Sequence, residues 1–485
     1  MSILAKQSIK KLSIYLAAIL LAFTLTTPTA NAKVPDYYGG VFDEYSYEEY
    51  FFLSGNPILF TGKPTITEKE SKNQLTSTYK FTLTSTAGDK LTRSIVYVSD
   101  LKNHETKGQI TSNTKVKSFS EKITTVADKA TYTLDDYQFS QGSVRDNRPA
   151  TDYYSGNVVG RKIYLKNYKS GTKTINEKIT VFISGRDVGY KNFWGSTDTQ
   201  IMENEIVSDA GTFFVTSKVS DSKSRTLEYE PHTPSLSSFV GGHSVVSNSN
   251  IISEYTYNMP YHAGTGTLYL NKEKTPTIER LIVPKFRDIA NHWSKPNIEK
   301  LYSLGIFDES SNFFSPDAPM TKYQFTAGVA KAVDLRVLEQ KATSRAPAKA
   351  AYSDLDPKDP DYLFIDSALK KGIVSPVNAD LFGAKQSITR AEAATIIVRS
   401  LGLEGRAPSP GYKTTFIDDN KIPKGAKDSI YVATELGLID PDKKNRINAN
   451  EVLTKGKASQ LLVRYMNFLE SDLKQNYRDD MFYFD

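Results

Sequence analysis

Residues 33–280 are patterned with a period of two. Tyr79-Lys80-Phe81-Thr82-Leu83-Thr84 alternates apolar and polar positions, as a half-buried strand does. Segments 91–98, 158–165, 178–184, 212–219 and 251–257 read the same way and are rich in β-branched and aromatic residues. Turn signals at Ala87-Gly88-Asp89, Ser170-Gly171 and Gly241-Gly242 separate them. One helical turn is expected around 45–51, and 217–234 reads as a polar loop. Many strands with little helix predict a mostly-β, β-sandwich-like region of one large or two small domains. Beyond residue 280 the period changes. Ala393, Ile397 and Leu401 are four apart and share one helix face, as do Phe325, Val329 and Val333, and Ala458, Leu462 and Met466.

Each of these three helices has a readable start. Thr389 is a good N-cap, and Glu392 can reach back to its N–H to complete a capping box. Thr321 with Gln324 repeats the construction, and Thr454 opens the third helix with Lys457 at the corresponding position. The three threonines are 68 and 65 residues apart. Gly305, Gly372 and Gly437 keep nearly the same period and suit the left-handed position that ends a helix. Each glycine is preceded by a short helical pattern and followed by two apolar residues. A third landmark opens each unit: Phe286-Arg287-Asp288, Tyr352-Ser353-Asp354 and Phe416-Ile417-Asp418. Three landmarks in fixed order, three times, make an internal repeat. One helix pair cannot bury its apolar faces alone, but three can bury them against one another. The first helical residues are cations: Lys322, Arg390 and Lys455. The helix macrodipole disfavours a cation there. An anionic ligand held by free backbone N–H groups at the helix start would explain the placement.

The unit F-x-D, H-W, G-I, F-x-P, T-R-A-E resembles the S-layer homology domain. Repeat one carries the resemblance at Phe286, Asp288, His292, Trp293, Gly305, Ile306, Phe314, Pro316 and Thr321. Repeat two matches best at 388–392. Repeat three keeps Phe416, Asp418, Gly437 and Thr454 but departs at Gly456 and Lys457. The resemblance implies an all-α pseudo-threefold cluster of three units, 281–340, 350–403 and 414–470, with ligand grooves between them. It further implies attachment to the secondary cell-wall polymer of a bacterial envelope, a pyruvylated or otherwise anionic glycan on the peptidoglycan-associated wall. Residues expected at the polymer sites are Arg390, Lys322, Lys455, Trp293, Asp288, Asp354 and Asp418, with the helix-ending Gly305, Gly372 and Gly437. Thr321, Thr389, Thr454, Gln324 and Glu392 are expected to serve as caps.

Residues 1–32 have the form of a secretory signal: Lys6, Lys10 and Lys11, an apolar run over 12–25, then Ala30-Asn31-Ala32. That run is shorter than the ~20 residues a membrane-spanning helix needs, so an exported cell-surface protein without a transmembrane segment is expected. The formal net charge is +6. Removing three lysines and no acid leaves about +3, which is no nucleic-acid signature. The chain has no cysteine, so disulfides, thiol catalysis and Cys-ligated metal are excluded.

Nothing else in the sequence announces catalysis. His104, His232, His243 and His262 show no metal-ligand spacing, and no nucleophile elbow or P-loop occurs. Asp135-Asp136 and Glu48-Glu49 are adjacent, so in a strand each pair would point to opposite faces. The segment from Asp440 to Glu451 loosely follows a calcium loop but has Lys444 where a ligand oxygen is needed. The reading from sequence is therefore a noncatalytic envelope protein, without cofactor or metal, displaying a β-rich region. Two alternatives stand beside it. One is a tethered wall- or glycan-processing hydrolase, marked by two convergent acids ~5–10 Å apart. The other is a self-associating lattice subunit.

Overall fold

The computed structural model describes residues 37–482 apart from 44–45, 72, 105–108, 232–241, 261, 308–310 and 334–349, with side chains described to residue 470. The expected signal segment and His232 lie outside the described residues.

The β region is one antiparallel sheet in which strands follow sequence order: β1 Val41–Phe42, β2 Tyr47–Phe51, β3 Ile58–Ser71, β4 Gln74–Thr84, β5 Lys90–His104, β6 Gln109–Thr124, β7 Thr131–Asn147, β8 Asp152–Ser170, β9 Lys173–Lys191, β10 Gly195–Ser208, β11 Gly211–Glu230, β12 Gly242–Met259 and β13 Gly264–Glu273. A short β14, Thr277–Arg280, pairs with β12. The sheet curls so that its two ends meet. Ser253 Oγ donates to the Gly39 carbonyl at 2.5 Å, and Lys272 Nζ reaches Glu48 at 2.7 Å and Asp43 at 3.4 Å. The inner face carries one apolar cluster, with Tyr47, Phe60, Leu91, Ile123 and Tyr132 from five strands at 2% exposure or less. This barrel-like meander replaces the two separate sheets expected of a sandwich. Alternation along a strand says which face is buried, not whether the sheet closes on itself. Its outer face is mostly polar, the reverse of the apolar band that a lipid-facing barrel needs.

Two further sequence expectations are corrected. The helical turn around 45–51 is strand β2, whose Tyr47, Glu49 and Phe51 alternate inward. The polar loop over 217–234 is, through Glu230, part of β11, because its polar residues alternate outward and then pair with β12. Inside the barrel Arg93 is held by Glu49 and Glu121 at 2.7 Å each, all nearly solvent-free. The Tyr38 ring lies 3.3 Å from the guanidinium. A buried charge is tolerable only when paired in this way.

The C-terminal region is helical: α1 Lys295–Ser303, α2 Lys322–Ala332, α3 Tyr362–Lys370, α4 Arg390–Leu401, α5 Lys427–Glu435 and α6 Lys455–Phe482. The first helix of each pair ends at a left-handed glycine, with φ of 69° at Gly305, 71° at Gly372 and 66° at Gly437. The predicted face residues Phe325, Val329, Ala393, Ile397, Ala458, Leu462 and Met466 are all at 1% exposure or less in a single core. Just before the second helix of each pair the chains meet in a closed ring. Met320 N donates to Leu453 O at 2.9 Å, Ile388 N to Met320 O at 2.9 Å, and Leu453 N to Ile388 O at 3.0 Å. Trp194 and Ala150, from one end of the barrel, are part of this helical core. No helix among the described residues is long and apolar enough to cross a membrane.

Candidate functional site

The ring places the start of each second helix against a loop of another repeat. Thr321 and Thr389 both form the full reciprocal cap, the latter with Thr389 N to Glu392 Oε2 at 2.9 Å. Thr454 accepts from Lys457 N at 3.3 Å, and a lysine there returns no bond. The N–H groups expected to be free for an anion are occupied. Lys322 N donates to Gln386 O, Arg390 N to Glu451 O and Lys455 N to Ala318 O, each at 2.8 Å. The next N–H is used as well at Ala391, toward Ala449 O, and at Gly456, toward Pro316 O. The helix starts therefore serve to join repeats, and the anion rationale based on open N–H groups is withdrawn.

The three cations follow the same logic with their side chains. Lys322 Nζ donates to Ser375 O at 2.7 Å and Phe382 O at 3.0 Å. Arg390 donates through one terminal nitrogen to Asp440 O at 2.5 Å. Lys455 Nζ donates to Phe314 O at 3.2 Å. Repeat one thus reaches repeat two, two reaches three, and three reaches one. Burial lowers the pKa of both Lys322 and Arg390, with nearby carboxylates acting the other way. An arginine so placed is still a cation at any physiological pH.

Arg390 differs from Lys322 in what it leaves over. Its Nε is buried and has no hydrogen-bond partner. The side chain lines a cleft of about 260 Å³ with Trp293, Asp440, Lys457, Gln460 and Arg464. Trp293 is 54% exposed, so its ring face is open rather than anchoring a core. The cleft thereby unites two expected site residues from repeats two and one with a face of α6 from repeat three. Four of its polar liners besides Gln460 are charged, three positively. Sequence reasoning missed Gln460 and Arg464. Their signal is helical spacing: Lys457, Gln460 and Arg464 fall at i, i+3 and i+7 and share a face. Lys322 lines a second groove of about 550 Å³ with Gln386, Thr389, Glu392, Arg399 and Asn450.

The aspartates act within their own units. Asp288 accepts from Phe314 N at 3.0 Å and Ser315 N at 2.6 Å. Asp354 accepts from Phe382, Gly383 and Ala384 at 2.7–2.8 Å. Asp418 accepts from Ile447 N at 2.8 Å and Asn448 N at 2.9 Å. Each ties down a loop some thirty residues onward rather than capping the turn that follows it. Burial acts to raise the pKa of Asp288 and Asp354, but the backbone N–H bonds outweigh it and hold both below the usual carboxylate range. Gly305, Gly372 and Gly437 turn the chain, and neither glycines nor aspartates reach the two clefts. Asp442 of the calcium-like segment is used by its own turn, accepting from Lys444 N, Arg446 N and the Arg446 guanidinium.

The barrel surface carries a separate arrangement. Glu203 and Glu205 lie on the outer face of β10, two residues apart, so their Cα atoms are about 7 Å apart. Glu205 is directly opposite Phe182 on β9 and Phe214 on β11, which are 46% and 52% exposed. Ser184 Oγ donates to Glu203 at 3.2 Å.

The S-layer homology domain model matches residues 285–326 and 351–394. The third unit shows the same landmarks and geometry without being part of those matches. Three curated proteins are similar over part of the chain. An exoglucanase, XynX, of Acetivibrio thermocellus is 25% identical over 207 residues, 41% of this chain and 18% of that protein. An amylopullulanase of Thermoanaerobacterium thermosulfurigenes is 25% identical over 248 residues, 51% of this chain and 12% of that protein. An endoglucanase of Bacillus sp. (strain KSM-635) is 28% identical over 158 residues, 32% of this chain and 16% of that protein. The chain spans less than a fifth of the length of each. These relatives are named as glycan hydrolases, which overturns the noncatalytic expectation drawn from sequence. S-layer homology domains bind cell-wall polymers and hold proteins at the bacterial cell surface. The chain is an S-layer homology domain protein, with its repeats in the C-terminal region.

Proposed function

We propose that the chain is a cell-surface glycan hydrolase held noncovalently to an anionic wall polymer by three repeats packed as a pseudo-threefold cluster. The observation that carries the anchoring half is the cleft where Arg390 keeps an unpartnered buried donor beside the open face of Trp293. A carboxylate on a sugar suits this pairing: guanidinium for the charge, indole for the ring. The ring of backbone bonds and the cyclic reach of Lys322, Arg390 and Lys455 support the pseudo-threefold packing. The test is retention of the purified protein on cell wall before and after the anionic polymer is stripped. Equal retention on stripped wall would sink the anchoring reading.

The hydrolase half is supported by the names of the relatives and by an exposed acid pair beside aromatic rings. Glu203 and Glu205 project from the same exposed face of β10, and Phe182 and Phe214 flank Glu205 as platforms for sugar rings. Release of reducing ends from β-glucan, pullulan and isolated wall polysaccharide is the direct assay. Activity that survives both Glu203→Gln and Glu205→Gln would move the site elsewhere. No release from any of the three would remove the hydrolase reading.

A further inference from the structure

The barrel interior changes character toward the end that meets the helices. Below, the inward positions are mostly apolar around the paired Arg93, Glu49 and Glu121. Above, they are Gln141 on β7, Tyr154 on β8, Asp187 on β9, Asp198 and Gln200 on β10, and Asp221 on β11. The register puts Asp198 directly opposite Asp221, and Gln200 directly opposite Asp187. Three carboxyls therefore share one face of three adjacent strands. Asp187 and Asp198 are each 6% exposed, and Gln200 is fully buried. Asp187 accepts from Gln141 Nε2 at 3.0 Å, and Tyr37 donates to the same glutamine at 2.5 Å. The Tyr154 hydroxyl bonds the Thr197 carbonyl at 2.9 Å and lies beside Asp198. Arg145, from β7, is the cation felt at Asp198, and its influence is the weakest of the neighbours'. Two buried groups are left with open polar atoms: Asp198 at Oδ1, and Gln200 at both Oε1 and Nε2.

Carboxylates crowded in a dry interior cannot all be ionised, because each repels the next and none is well hydrated. Asp198 stands on the middle of the three strands, between Asp187 and Asp221, so a proton there relieves the repulsion most. We propose that this layer holds a proton at neutral pH, seated on Asp198, and that the barrel is thereby a pH-sensitive element that loosens as its surroundings turn alkaline.

The titration behaviour agrees with the geometry. Burial first, then repulsion from Asp187 and Asp221, pushes Asp198 up to about 8 from an ordinary value of 3.8. Burial also raises Asp187. The folded form then binds one more proton than the unfolded chain between these values. The stabilisation from this proton is fully present below about 4 and declines as pH rises, its share of the unfolding equilibrium constant growing about tenfold per pH unit until about 8. Above that the contribution is gone and the curve is level.

The test uses the full chain and Asp198→Asn, which fixes the neutral form. Melting of the β structure is followed by circular dichroism from pH 5 to 9, and the infrared band of a protonated carboxyl is recorded at pH 7. The wild type should show the band and a melting temperature that falls to about pH 8 and then flattens. The variant should lose both the band and that part of the slope. A variant that keeps both overturns the proposal. If the variant does not fold, the wild type decides alone, and absence of the band at pH 7 overturns it equally.

Discussion

Replacing Arg390 and Lys322 separately should divide ligand from scaffold. Lys322 is 7% exposed, and its ammonium is spent on two carbonyls of repeat two, Ser375 O and Phe382 O. Lys322→Ala strands both acceptors in a buried place. Hydrogen bonds to a charged group contribute about 1.5–3 kcal/mol, so a destabilisation of about that size follows, with polymer affinity falling mainly through the fold. Arg390 spends one nitrogen on Asp440 O, keeps a buried Nε unpartnered, and lines the cleft. Arg390→Ala should cost about 1.5 kcal/mol of stability, the low end for one charged bond, because this one is exposed. It should also remove a charge-assisted contact to the sugar carboxylate, for an affinity loss of about ten- to a hundredfold. Arg390→Lys keeps the charge but loses the planar fork, and should recover only part of that affinity. Calorimetric titration with purified wall polymer, paired with melting curves, measures both quantities. Full affinity in folded Arg390→Ala would refute the cleft as the polymer site. An affinity loss in Lys322→Ala as large as in Arg390→Ala, with an unshifted melt, would refute the scaffold role of Lys322.

Three further outcomes follow from the same geometry. Asp354→Asn removes a carboxylate that accepts three backbone N–H bonds and should lower the melting temperature by an amount equivalent to about 1.5–3 kcal/mol. Because the folded pKa of Asp354 is depressed, its contribution is present at neutral pH and is lost as pH falls below the unfolded value near 3.9. Acid melts of the wild type should therefore be steeper than those of the variant. Trp194→Ala takes a 4%-exposed ring out of the core joining barrel to helices, and a cost of about 3–5 kcal/mol should appear in the melt. Thr389→Ala removes one cap and should cost about 0.5–2 kcal/mol in the same assay, without a direct effect on binding.

The parts of this molecule that could be read from sequence are those set by neighbours along the chain. Caps, left-handed glycines and apolar faces are local, and Thr389, Gly372 and Ile397 stand where their patterns put them. The roles that escaped depend on residues far away. Asp354 looks like a turn cap or a sugar ligand until its partners, 28–30 residues on, are seen. The helix-start N–H groups look open until carbonyls of another repeat fill them. Strand β10 hid for another reason. Residues 197–200 are buried on both faces yet polar, Thr-Asp-Thr-Gln, so the two-residue hydrophobic period vanishes where the interior itself turns polar.

Gly456 shows how such a hidden contact inverts a sequence argument. Glycine in a first helical turn reads as a flaw, costing up to ~1 kcal/mol of helix propensity, and Lys457 beside it opposes the macrodipole. On that reading Gly456→Ala should stabilise the third repeat. The structure puts repeat one against this position. A Cβ there would lie 2.9 Å from Ser294 Oγ and 3.2 Å from both His292 and the Pro316 carbonyl. The Gly456 N–H also donates to that carbonyl at 2.8 Å, so the backbones cannot separate without losing the bond. Crowding against backbone costs about 1–3 kcal/mol in a packed setting, which exceeds the propensity gain. Gly456→Ala should therefore lower the melting temperature. It should also weaken polymer binding, because Trp293 and Lys457 of the Arg390 cleft flank the strained contact. Gly405→Ala, where a Cβ meets nothing within 4 Å, is the matched control and should leave both unchanged. A higher melting temperature in Gly456→Ala would mean that helix propensity wins and the inter-repeat contact is soft.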